Sequence, residues 1–94
     1  MNYAAIVKDL NAKFPDYKFS NTKETYNVSA IIKIQSKSVP GIDTDLGYWG
    51  GSDCGYIANS GYIQVYKYLK SILPTCRVMD FIDGSRKGFF EIKE

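Results

Sequence analysis

The chain is expected to fold as an α+β domain of the form αββ–loop–αββ, a four-stranded antiparallel sheet with two helices on one face. Three features carry this expectation. Two helical apolar stripes each end at a proline. Each stripe is followed by two stretches of strand character. A glycine-rich segment, residues 40–59, separates the two sets. The 94 residues make a single domain, 1–94, with similar halves at 2–36 and 60–94.

Tyr3, Ile6, Val7, Leu10 and Phe14 follow the spacing of one helical face, with Asn2 placed to cap the helix and Pro15 to stop it. Tyr17 to Thr22 and Val28 to Ser36 follow as strands, joined by the polar Asn21-Thr22-Lys23-Glu24. In the second strand Val28, Ala30, Ile32 and Ile34 alternate onto one face, which leaves Ser29, Ile31, Lys33 and Gln35 on an open face. Tyr62, Val65, Tyr66, Leu69, Ile72 and Leu73 repeat the helical stripe, capped by Asn59 or Ser60 and stopped by Pro74. Cys76 to Ile82 and Phe89 to Lys93 then form a hairpin around the turn Asp83-Gly84. The exits Leu10–Phe19 and Leu69–Val78 agree at Leu, at the bulky apolar residue before Pro, at Pro, at the base and at the next apolar position. Isolated hairpins are marginal in water, so the four strands are expected to share one sheet.

Composition narrows the function. The chain is 45% hydrophobic and 23% charged, too apolar for a disordered protein. It contains no histidine, so a Ser-His-Asp triad, a Cys-His pair and a His-ligated metal cannot be built within it. No apolar run reaches the roughly 20 residues that cross a bilayer, and Met1-Asn2-Tyr3-Ala4 has no secretion-signal character. A cytoplasmic protein is expected, with Cys54 and Cys76 as free thiols by default. The net charge of +2 does not by itself call for nucleic acid.

The function is expected in the glycine-rich segment. It holds the only tryptophan, Trp49, with Tyr48, Tyr56, Cys54, Asp43, Asp45 and Asp53. Glycine loses the most backbone freedom on ordering, so the run cannot form a helix or a long strand. Its aromatics either fold back to cap the sheet or stand out as anchors for a partner. Asp43-Thr44-Asp45 resembles the start of a calcium loop, but the twelfth position is Cys54 rather than a bidentate glutamate, and the aspartates read as turn residues. No phosphate-loop motif is present, and no cofactor or metal is expected.

Two other features concern nucleic acid. Lys87-Gly88-Phe89-Phe90-Glu91-Ile92 resembles the opening of an RNA-recognition strand, but breaks the register at Glu91, and the strand that should precede the first helix is missing. Of Phe89 and Phe90, one is expected to face the core and one the opposite side. Lys67, Lys70, Arg86 and Lys87 could form a modest phosphate-binding patch.

Residues 6–35 resemble a domain of the large polyvalent proteins of phages and conjugative elements. The resemblance lies in Ile6-Val7-Lys8-Asp9-Leu10-Asn11-Ala12-Lys13-Phe14-Pro15-Asp16-Tyr17-Lys18-Phe19-Ser20 followed by the strand Val28–Ile34. Asp16 stands where that family usually has glycine, and the aromatic-rich strand end is missing. The resemblance implies a mobile-element origin and an accessory role, and it carries over no catalytic residues. The expected function is a non-enzymatic inhibitor or adaptor. It would dock on host defence or nucleic-acid machinery through Tyr48, Trp49 and Tyr56, with Asp43, Asp45 and Asp53 giving charge complementarity. The alternatives are a nucleic-acid-binding module on the open sheet face and basic patch, or a small nucleotide-binding protein. Exposed aromatics and open sheet edges favour a homodimer.

Overall fold

Helix α1 (Tyr3–Lys13) begins where Asn2 accepts a hydrogen bond from the Ala5 N–H at 3.1 Å, satisfying one of the free donors of the first turn. Strands β1 (Tyr17–Asn21) and β2 (Ser29–Ser36) follow, then two short strands, β3 (Gly47–Trp49) and β4 (Tyr56–Ala58). Helix α2 (Ser60–Ile72) and strands β5 (Arg77–Ile82) and β6 (Lys87–Lys93) complete the chain. The computed structural model describes residues 2–22, 29–37 and 45–94.

The main sheet has the order β1-β2-β6-β5, and every neighbouring pair is antiparallel. Each helix is thus followed by an edge strand and then a central strand, and the two central strands pair with Ile32 opposite Phe90. The α+β architecture matches the expectation. The glycine-rich segment departs from it, because it contains the two-stranded β3–β4 hairpin.

Alternation sorts the strand side chains onto two faces. Tyr17, Phe19, Ile32, Ile34, Val78, Phe90 and Ile92 are buried on one face, with Leu10 of α1 and Tyr62, Val65 and Leu69 of α2 packed over them. Tyr62 and Tyr66 stack on Phe90, with centroids 5.4 and 6.4 Å apart. The helices also touch each other: Phe14 meets Tyr68 edge-on at 5.7 Å, and the Tyr68 hydroxyl donates to Asp9. Both helices bond to the strand they cover. Asn11 donates from Nδ2 to the Phe19 carbonyl at 3.0 Å and accepts from the Phe19 N–H at 2.9 Å. The Tyr66 hydroxyl donates to the Val78 carbonyl at 3.3 Å.

Among the described residues, no helix covers the opposite face. Phe89 and Phe81 are cross-strand partners there, stacked with centroids 4.8 Å apart and planes 20° apart. Phe81 remains 43% exposed. Lys18, Lys33 and Lys87 are exposed on the same face. Among the described residues, no helix is long and apolar enough to cross a membrane.

Candidate functional site

The β3–β4 hairpin has a buried root and an exposed body. At the root, Leu46 is completely buried in the core, worth about 1.5–3 kcal/mol of apolar burial. Its N–H donates to the Ser85 carbonyl at 2.7 Å, which ties the hairpin to the β5–β6 turn. Asn59 closes the other strand. Its N–H donates to the Leu46 carbonyl at 2.8 Å, and its Nδ2 donates to the Asp45 carbonyl at 2.6 Å. Asn59 occupies the N-cap position of α2, but its side chain makes no cap bond because it serves this tether.

Beyond the root, Tyr48 pairs with Ile57 and Trp49 with Tyr56. Successive strand residues point to opposite sides, so each side of the ribbon carries one apolar pair. Trp49 and Tyr56 meet edge-on with centroids 5.3 Å apart. Trp49 is 60% exposed and Tyr48 56%, and Tyr56 and Ile57 are also exposed. The fold-back of Trp49 onto the sheet, weighed as an alternative from the sequence, is therefore not what the chain does. The tip, Gly51-Ser52-Asp53-Cys54, is closed by the Gly50 N–H donating to the Gly55 carbonyl at 2.8 Å. Gly51 and Gly55 have φ of +109° and +66°, values that L side chains adopt only with strain.

The aspartates do not share one role. Asp53 is exposed at the tip, whereas Asp45 is buried at the root. Asp43 lies outside the described residues. Cys54 is exposed and Cys76 half-buried, both as free thiols. Ile57 joins the aromatic surface; its pairing with Tyr48 follows from the hairpin register, which the glycine content hid.

The basic residues Lys67, Lys70, Arg86 and Lys87 do not form one patch. Lys67 and Lys70 lie on α2, on the helix-covered side, and the Lys70 ammonium sits 5.3 Å from the centre of the Tyr66 ring. Arg86 turns inward, with Nη2 donating to the Ser36 carbonyl at 3.4 Å. Lys87 alone points to the open face, where the β1–β2 and β2–β6 registers bring it near Lys18 and Lys33. A shallow concavity of about 400 Å³ there is lined by Lys18, Lys33, Gln35, Asp83, Lys87 and Phe89.

No protein family model, curated protein or solved structure matches the chain. Among the described residues, no group of three His, Cys, Asp or Glu side chains could hold a metal ion.

Proposed function

We propose that this chain is a non-enzymatic binding protein, an inhibitor or adaptor, that docks on a protein partner through the β3–β4 hairpin. The observation that carries this reading is the exposure of Trp49 on a hairpin whose root is anchored by the fully buried Leu46. Leaving a tryptophan, two tyrosines and an isoleucine in water on one small ribbon is unfavourable unless a partner covers them. Trp and Tyr are the residue types that most often dominate binding energy at interfaces. A rooted hairpin presents them with little ordering cost on binding. Asp53 at the tip gives the surface a carboxylate suited to a basic partner, such as nucleic-acid-handling machinery. The resemblance of residues 6–35 to a phage and conjugative-element domain supports a mobile-element accessory protein acting in the cytoplasm. The absence of histidine from the chain supports a binding rather than a catalytic role.

The test is capture from nuclease-treated host lysate by tagged wild type and by Trp49→Ala, read by mass spectrometry beside thermal melts of both proteins. A partner held by wild type and lost by an equally stable Trp49→Ala variant is the expected result. Equal capture by the two proteins would overturn the hairpin as the docking element.

A further inference from the structure

We infer that the open face of the β1-β2-β6-β5 sheet binds single-stranded nucleic acid, with bases stacked on Phe89 and Phe81 and phosphates held by Lys18, Lys33 and Lys87. This site is separate from the hairpin and would be available whether or not the hairpin has a partner.

The strand registers place these groups in two rows across the sheet. In one row Lys18 stands opposite Gln35, and Gln35 opposite Lys87. In the next, Ser20 stands opposite Lys33, Lys33 opposite Phe89, and Phe89 opposite Phe81. Adjacent strands are about 4.8 Å apart, so Lys33 stands directly beside the aromatic pair, and Lys18 and Lys87 lie about two strand spacings from each other. Arg77 and Lys93, themselves opposite one another, extend the positive surface toward the far end of β5. Among the described residues, the carboxylates on this face are Glu91, which pairs with Lys93 at 3.6 Å, and Asp83, which lines the concavity together with Lys18, Lys33 and Lys87. The positive charge is therefore concentrated on this face, although the whole chain carries only +2.

Charge alone would suit any polyanion, and the aromatic pair decides between them. Phe81 and Phe89 stack on one another, so each has one ring face engaged by its partner, and the pair leaves an outer ring face on Phe81, which is 43% exposed. A nucleobase gains from such a plane by stacking, about 1–3 kcal/mol per base. An acidic peptide brings carboxylates for the lysines but no ring for that surface. In a duplex the base faces are already stacked on one another, so a platform of this kind favours unpaired bases. The concavity of about 400 Å³ beside Phe89 is within the size range of ligand-holding clefts, about 300–1,000 Å³.

The test is fluorescence anisotropy with labelled oligothymidylate and oligouridylate of about 12 nucleotides, a duplex of equal length, and polyglutamate as competitor. Titrations at about 50 and 200 mM salt are run on wild type, Phe89→Leu and the triple variant Lys18→Gln, Lys33→Gln, Lys87→Gln. Wild type is expected to bind at least one of the single strands more tightly than the duplex, with affinity falling as salt rises. The triple variant should lose at least tenfold in affinity. Its salt slope should become shallower by about 2, because each phosphate contact on a single strand contributes about 0.7. Phe89→Leu should lose about tenfold with the slope unchanged. Thermal melts check that the exposed lysine changes leave the fold intact. No binding to either single strand at low salt, equal affinity for duplex, full competition by polyglutamate, or an unaltered slope in the triple variant would each overturn the inference.

Discussion

Tyr62 lies against Phe90 with ring centroids 5.4 Å apart and planes 13° apart, and this contact fastens α2 to the centre of the sheet. Both side chains are almost wholly inaccessible to water. Truncating either one to alanine removes the stacked partner and opens a cavity, so Tyr62→Ala or Phe90→Ala should cost about 3–5 kcal/mol. Tyr62→Phe keeps the stack and loses only the 3.4 Å hydrogen bond to Asp80, for a cost below about 1 kcal/mol. Urea unfolding of the three variants distinguishes packing from hydrogen bonding.

Burial, reinforced by the Asp80 charge and hydrogen bond, also raises the Tyr62 phenol well above its ordinary value. Tyr3 is pushed up to about 12 by burial first, then by its hydrogen bond to Glu94 and the charge of that group. A raised phenol pKa in the folded state means that the unfolded chain releases its proton first as pH rises. Folding stability from these groups is thus complete below about pH 10 and declines as the pH climbs toward and beyond 12. Thermal melts across that window should show the decline in wild type and a shallower one in Tyr3→Phe.

Gly51 gives access to the hairpin without touching its aromatics. At φ +109° an alanine is strained by about 1–2 kcal/mol, although no atom lies in its way. Gly51→Ala should disturb the tip and reduce partner binding as Trp49→Ala does. The cooperative melting of the core should move by no more than about 0.5 kcal/mol in Trp49→Ala, whose side chain is mostly in solvent. Amide chemical shifts of Gly50 and Gly55 report the hairpin directly.

Asn59 separates two roles that the residue type alone confuses. Asp is as good an N-cap as Asn, so a cap role makes Asn59→Asp neutral. The observed role is donation from Nδ2 to the Asp45 carbonyl, which a carboxylate cannot perform. Asn59→Asp should therefore cost about 1–3 kcal/mol, measured by chemical denaturation.

The parts of the fold set by local periodicity were readable in advance. Phe89 and Phe90 were expected on opposite faces, and Phe90 is in the core while Phe89 stacks on Phe81 outside it. The Asn2 cap and both proline stops fall where the apolar spacing puts them. The hairpin was hidden because its strands are three residues long and sit among glycines, leaving no alternation to detect. The distribution of the basic residues is not legible in the sequence for a different reason. Arg86 and Lys87 are adjacent in sequence, but Arg86 sits in the turn and bonds to Ser36, while Lys87 begins a strand and faces outward. Lys18 and Lys33 join Lys87 only through strand register, which depends on partners far along the chain. Asp45 looked like a surface carboxylate, and Leu46 beside it carries that stretch into the interior.

The bonds from Asn11 to Phe19 and from Tyr66 to Val78 have a consequence for how this molecule meets others. A bare edge strand offers free backbone groups on which a second chain can lay a strand of its own. Here β1 and β5 are the two flanks of the sheet, and each has its backbone engaged by a side chain from the helix that covers it. The sheet is self-terminating at these points. Lateral extension, whether into a shared sheet between two copies or into a growing aggregate, would first have to displace part of the protein's own helix layer. Association is thereby directed away from the flanks, toward the ribbon that projects from the fold and the broad face left uncovered.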